Sequence, residues 1–450
     1  MTSGKKPQIL HITTHLGGGV GSVVLNYIKN DDNFEHKIVC LDYANENSIE
    51  VAKNINVELH GDMSKNIPKV IELIKNSDIV LIHFWNHPLL YDFLIRHKFP
   101  PSRVIFWSHI SGICAPHNFT YKTLTFPDLF VFNTPLGFNN KEVQSLSTDE
   151  KKRLRVIWAT GGIEHLKDIK PCIKEYFNIG YIGTVDYCRL RNDFLEICSK
   201  IKIDNAKFTV CGGTKEKEIY NQAKKLGLDK KFNFTGKIKD VKKYLETFDI
   251  FAYPLVYNHS GTCDLVLQEA MAAGVVPVVF NNPMERYIVK NGITGIVVKT
   301  NNEYIAAIEK LYKDVNLRNK LSMQAKAYAL KHFSINTLIT DWKKLINEVL
   351  EIPKTEKQWL MKKPNNEIMP KDILFEALGN HASPFKLCFD KSTRNEGLKQ
   401  IKKLAKMQIW QGNRKGTVHQ YQAFFPNDPE ITTLSKIMIK FGLEGDKNIE

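Results

Sequence analysis

No run of about eighteen or more apolar residues occurs in this sequence, so it offers no membrane-spanning helix. Met1 to Pro7 are polar and give way at once to a strand-like run, without the apolar stretch of a secretion signal. The eight cysteines include no Cys-x-x-Cys pair. That spacing argues against a zinc site or a disulfide framework and for single, mostly buried, reduced thiols. No Asp-x-Asp stands at a strand end, and no repeat or low-complexity tract is present. These absences lead to the expectation of a cytoplasmic protein.

Acidic residues are also few beside basic ones, 48 against 63, for a net charge of +15. Such an excess favours polyanions such as nucleic acid, anionic lipid or phosphorylated small molecules. The bland alternative is a lysine-rich composition that keeps the protein soluble. With 450 residues, the chain exceeds one typical domain, and two domains plus an extension is the natural expectation.

The organisation is α/β. Gln8–Thr13 is a strand-like run that ends at Gly17-Gly-Gly-Val-Gly21, and an apolar-periodic helix follows. Further strand-like runs cover His36–Leu41, Ser77–His83, Arg103–His109 and Leu129–Asn133. A second alternating series begins near Asn178, with runs at Ile179–Gly183, Lys207–Cys211, Phe232–Phe234, Ile250–Tyr253, Val275–Phe280 and Gly295–Val298. Strands separated by helical stretches imply parallel βαβ units, hence two Rossmann-like, doubly wound halves. The expected domains are 1–165 and 175–335, joined around Ile163–Asn178 with Pro171. A crossover helix at 336–352 and an extension at 353–450, opened by the polar Pro364-Asn-Asn366, complete the chain.

One stretch carries most of the chemistry: His259-Ser-Gly-Thr-Cys-Asp-Leu-Val-Leu-Gln-Glu-Ala-Met-Ala-Ala-Gly274, followed by Val275-Val-Pro-Val-Val279. It reads as loop, helix, glycine stop and strand. Thr262 or Asp264 can cap the helix, and Gly274 suits the position after it. In a doubly wound domain such a helix N-terminus faces the ligand side of the sheet, and its free N–H groups favour phosphate. Glu269, inside the first turns, can accept from a ribose hydroxyl pair. The competing reading is an ordinary βα loop with a solvated Glu.

This block resembles the signature of the retaining GT-B-fold glycosyltransferases of family 4. Glu269, Ala270, Ala272, Gly274, Pro277, Val278 and Val279 match its Glu-Ala-x-Ala-x-Gly-x-Pro-Val-Val core, and Pro283-Met-Glu285 and Asn291–Gly295 match the next stretch. The resemblance covers roughly residues 8–350. It implies two Rossmann-like domains around a cleft, a nucleotide-sugar donor in the second, and Glu269 on the ribose. The family's Glu-x7-Glu pattern would place its first Glu at position 261, where this chain has Gly261. The sugar contact usually made by that Glu then falls to Asp264, His259 or backbone amides.

Other candidates are carried over by position. The turn at Gly18 and Gly19 resembles the family's glycine-rich turn. Asp42, at the end of the second strand, also fits a dinucleotide-binding reading, but the spacing here is Gly-x-Gly-x-Gly. His109 ends a strand as the family histidine that contacts the donor sugar does, and His83, His15 and Asn86 stand at comparable positions. After Gly183-Thr184, Arg189 sits near the family's diphosphate-binding Lys, with Arg191 as the alternative. The resemblance thus implies His109 and Arg189 as catalytic residues. It implies Gly18, Gly19, Arg191, Thr262, Cys263, Asp264, Leu265 and Glu269 as nucleotide-sugar contacts, with neither metal nor protein nucleophile.

The extension contains Ser392–Trp410, a basic amphipathic pattern with Lys399, Lys402, Lys403 and Lys406. Such a helix can lie on an anionic membrane at the inner face of the cell, or pack into a core with a solvated basic face. Gly412–Gly416 and Tyr421–Pro426 read as ordered segments that bind acceptor or pack on the donor domain. The expected activity is sugar transfer from a nucleotide sugar to a glycan or lipid-linked surface-polysaccharide acceptor, with no nucleic-acid partner. A nucleotide-sugar epimerase and a non-catalytic binding protein on the same fold are the competing readings.

Overall fold

The structure, a computed structural model, describes residues 6–170, 172, 174–257, 259, 261–361, 367–412 and 415–443. Pro171, Ser260, Pro364–Asn366 and residues 413–414, which the sequence analysis singled out, lie outside them. The chain divides into two compact units, 1–157 with 339–450, and 158–338.

Unit 1 is built on a seven-stranded parallel sheet. Its strands are β1 (Gln8–Thr13), β2 (Glu35–Cys40), β3 (Glu58–His60), β4 (Ile79–Phe84), β5 (Val104–Ser108), β6 (Leu129–Phe132) and β7 (Leu154–Val156), in the order β7-β6-β5-β4-β1-β2-β3. Every residue of β4 and β5 is buried, as strands covered on both faces require. The order reverses between β1 and β4. This is the point of a doubly wound sheet where the loops part and ligands bind. Helix α1 (Gly18–Asn30) follows β1 with Gly17 at its N-cap and no side-chain cap.

Unit 2 carries a six-stranded parallel sheet of β8 (Phe177–Ile182), β9 (Ala206–Cys211), β10 (Phe232–Gly236), β11 (Ile250–Tyr253), β12 (Val276–Phe280) and β13 (Ile296–Val298). The order is β10-β9-β8-β11-β12-β13, so this sheet reverses between β8 and β11. Helix α2 (Leu265–Ala272) precedes β12 and ends at Gly274, whose φ of +77° a side chain would strain. Residues 158–165, at the edge of the expected N-terminal domain, are tied to unit 2. Gln268 Nε2 donates to the Ala159 carbonyl over 2.8 Å, and Glu164 accepts from the Ile335 amide.

Helix α3 (Ile335–Leu350) passes from one unit to the other in sequence, and its residues from Ile339 on count with unit 1. There Trp342 is fully buried against Trp107 and Tyr27. The extension then joins unit 1, not the unit that carries the Glu269 block. Thr355–Lys357 pairs antiparallel with Phe99–Ser102. Helices α4 (Pro370–Leu378), α5 (Arg394–Ala405), α6 (Val418–Phe424) and α7 (Pro429–Leu443) share one hydrophobic core with the first sheet, through Leu374, Ile401, Tyr421 and Leu434, joined by Phe385 and Trp410 from the segments between them. The basic helix α5 buries Gly397, Ile401 and Ala405 and leaves Lys399, Lys402, Lys403 and Lys406 outside that face. Its apolar residues pack into that core, and the lysines lie on the exposed side. No described helix is long and apolar enough to cross a membrane.

Candidate functional site

The candidates fall into two groups, one in each unit. In unit 2 they gather at the carboxyl ends of β8 and β11, where the sheet reverses. Arg189 lies in the loop after β8, Tyr253 closes β11, and His259, Gly261 and Asp264 lie between β11 and α2.

Arg189 is the centre of this group. Its Nη2 donates to Asp264 Oδ1 over 3.0 Å and to the Tyr253 hydroxyl over 3.3 Å, while Nη1 lies 3.3 Å from His259 Nδ1. The Tyr253 hydroxyl donates in turn to Asp264 Oδ2. Burial opposes ionisation of Asp264, but the Arg189 charge outweighs it and holds the carboxyl below its usual range. His259 Nδ1 also accepts from the Gly261 amide, so its proton sits on Nε2, 3.0 Å from Glu285 Oε1. Glu285 is completely buried and accepts from Asn282 as well.

This arrangement gives a physical account of Gly261. A Cβ there would lie 2.8 Å from Asp264 Oδ1, 2.8 Å from His259 Nδ1 and 2.9 Å from Arg189 Nη1. The space that the family's first Glu would need is filled by the Arg189 cluster, which puts Asp264 and His259 where that side chain would begin.

Asp264 is the N-cap residue of α2, yet its carboxylate goes to Arg189 and Tyr253, and no side chain caps the helix. Thr262 does not cap it either. The first turn of α2, with Leu265 at its start, therefore keeps N–H groups for a ligand. Cys263 is held by Gln268 and the Ala159 carbonyl, and burial pushes its thiol pKa up. Glu269 is half-buried and has no hydrogen-bond partner among the described residues. Loss of solvent pushes its carboxyl up to about 7. A desolvated acceptor without a donor is the group a ribose diol would satisfy.

Arg191 is spent elsewhere. It forms a bidentate pair with Asp193 at 2.8 and 2.7 Å, bonds Asn301, and stacks 4.4 Å from the Phe280 ring centroid. Both arginines are thus held by protein partners, with the Arg191 side chain 30% exposed and that of Arg189 18%.

In unit 1, Gly18 and Gly19 are exposed at the uncapped start of α1. His109 follows β5, is 8% exposed, and its Nε2 lies 3.0 Å from His83 Nδ1. Burial, then nearby Lys415 of the extension, lowers its pKa to about 3. His83 is no surface candidate: β4 continues through Phe84, and the imidazole is wholly enclosed between His11 and His109. His15 stacks on Tyr43, and Asn86 bonds the Ala377 carbonyl of the extension. Tyr253 and Glu285 are participants that motif reading passed over as core or as pattern matches. Their one sequence signal is a polar group at the end of an apolar strand and after one.

The family described as Glycosyl transferases group 1 matches residues 166–328. An uncharacterized glycosyltransferase of Haemophilus influenzae is 27% identical over 140 residues, which are 30% of this chain and 38% of that protein. Among solved structures, the Anabaena protein Alr3699/HepE in complex with UDP and glucose superposes with a TM-score of 0.62 at 14% identity, covering 76% of this chain and all of that one. A glycosyltransferase from Rickettsia africae gives 0.63 at 15% identity, over 77% and 99% of the two chains. WaaG, a glycosyltransferase involved in lipopolysaccharide biosynthesis, gives 0.56 at 13% identity, over 75% and 99%. Two doubly wound units, a shared fold and the matched segment agree: residues 166–328 form a Glycosyl transferases group 1 domain, in a chain with the GT-B fold.

Proposed function

We propose that this protein is a retaining glycosyltransferase that moves a sugar from a nucleotide-sugar donor to a glycan or lipid-linked surface-polysaccharide acceptor. The observation that carries the reading is Glu269: a desolvated carboxylate, without a hydrogen-bond partner among the described residues, one turn into a helix whose N-terminus has no side-chain cap. The ribose diol donates to Glu269 while the diphosphate lies at the first turn of α2, near Thr262–Leu265. The UDP and glucose held by the Anabaena protein support a donor of this class, and the role of WaaG supports a lipid-linked acceptor.

The chemistry is electrostatic. The anomeric carbon–oxygen bond breaks with its electron pair going to the leaving diphosphate, and the sugar becomes oxocarbenium-like. The α2 N-terminus and Arg189 stabilise the charge that develops. The acceptor oxygen attacks from the same face, and its proton passes to the leaving phosphate. No protein nucleophile or metal is needed for this route.

The test is incubation with a panel of nucleotide sugars, followed for nucleotide release with and without acceptor glycans. Release with one donor, accelerated by an acceptor, is expected. Conversion of a donor into its epimer would instead identify an epimerase, and no reaction with any donor would identify a binding protein.

A further inference from the structure

Unit 1 contains a line of histidines that the transfer chemistry above leaves unexplained. His36, His11, His83 and His109 come from β2, β1, β4 and the end of β5, which are consecutive neighbours in the sheet. His36 Nδ1 lies 2.9 Å from His11 Nε2, His11 Nδ1 lies 3.0 Å from His83 Nε2, and His83 Nδ1 lies 3.0 Å from His109 Nε2. Every link joins the Nδ1 of one ring to the Nε2 of the next. At the inner end, His36 Nε2 lies 3.3 Å from Asp31 Oδ2, the longest step.

The line is enclosed. His11 and His83 are inaccessible, and the Asp31 and His36 side chains are nearly so. The rings of Tyr27 and Trp107 flank it, with Trp342 packed behind both. The charged groups that face it are Asp31 at one end and Lys415 at the other. His109, 8% exposed, ends the line, and its Nδ1 has no protein partner among the described residues.

Proton counting fixes the tautomers. Burial opposes ionisation of Asp31, but the nearby His36 and the hydrogen bonds from Asn33 outweigh it and lower its pKa. An ionised carboxylate only accepts, and its charge 3.3 Å away favours the His36 tautomer with the proton on Nε2, although the contact falls short of hydrogen-bond geometry. Each ring that carries one proton then has a bare Nδ1, which must receive an N–H from the next ring. The pattern runs to His109, which gives Nε2–H to His83 and keeps a bare Nδ1. One extra proton on His36 would reverse every link, with each proton moving across its own hydrogen bond, and would leave Nδ1–H on His109.

We propose that Asp31, acting through His36, His11 and His83, sets which nitrogen of His109 carries the proton, and so makes His109 Nδ1 an acceptor for a ligand hydroxyl. Asp31 and the three inner histidines are positioning residues. The proposal rests on the glycosyltransferase reading only in naming that hydroxyl as one of a sugar.

The test is long-range proton–nitrogen NMR of the intact protein labelled in its histidines, at neutral pH and without ligand. His109 should show protonated Nε2 and bare Nδ1. Asp31→Asn, whose amide can donate to His36, should mix or reverse the His109 tautomer. In a His11→Leu background, which interrupts the line, the same change should leave His109 untouched. Where Asp31→Asn fails to fold, His36→Phe removes the same anchor and should likewise mix the tautomers. Protonated Nδ1 in the parent, or a His109 spectrum indifferent to both anchor variants, would overturn the proposal. Because the readout needs no donor, failure of the nucleotide-sugar reading would leave this result standing.

Discussion

Arg189 donates to Asp264 over 3.0 Å, and the two side chains are largely withdrawn from water. A cation placed by sequence position on the donor diphosphate thus also holds a buried carboxylate. Removing one partner strands the other. Arg189→Ala should therefore destabilise the second unit by about 3 kcal/mol as well as abolish turnover. Adding Asp264→Ala should restore most of the stability and none of the activity. Denaturant unfolding of the single and double variants checks this; equal losses in both would show that the pair is not coupled.

Gly261 answers to the same cluster. Gly261→Ala places a methyl 2.8 Å from Asp264 Oδ1 and His259 Nδ1, atoms already tied to Arg189. A cost of roughly 1–3 kcal/mol is expected, as for other overpacked sites. Gly261→Glu, which restores the residue of the family pattern, should cost more and should not raise activity. A stable, more active Gly261→Glu variant would contradict this account.

The Glu269 carboxyl supplies a pH signature. Its pKa is raised from 4.5 to about 7 by burial, and only the ionised form accepts from both ribose hydroxyls. Affinity for uridine diphosphate should fall as pH drops through about 7, and the slope should vanish in Glu269→Gln. The stability effect has the opposite sense. The folded state holds this proton more tightly, so ionising Glu269 costs stability as pH rises from 4.5 through about 7. Glu269→Gln should remove that loss, which thermal melts across this range will read.

The extension should behave as core. Trp410 is 1% exposed and packs on Phe385 within the first unit. Trp410→Ala should cost about 3–5 kcal/mol. Lys403→Ala, on the exposed face of the same region, should stay within about 0.5 kcal/mol. A near-neutral Trp410→Ala would separate the extension from the first unit's core.

The two sheets were legible because strands buried on both faces read as apolar runs, such as Ile79–Ile82 and Val276–Phe280. The helix after Gly261 was legible from its glycine stop and from the signature around Glu269. The engagement of Arg189 was not, because Asp264 lies 75 residues away and only the fold brings them together. The histidine line was hidden for the same reason: it takes one residue from each of four strands that neighbour in space but not in order. The extension's short helices gave no sign that they pack against the helix Pro88–Arg96 of the first unit. Arg191, the alternative to Arg189 in the sequence, gave no sign there of its partners Asp193, Asn301 and Phe280.

The central claim is that Glu269 holds the nucleotide of the donor. Calorimetric titration of uridine diphosphate into the parent and into Glu269→Ala tests it most directly. The account predicts binding that weakens by at least about 1.5 kcal/mol, roughly tenfold, as for a lost hydrogen bond to a charged group. Equal affinity in the two proteins would contradict it.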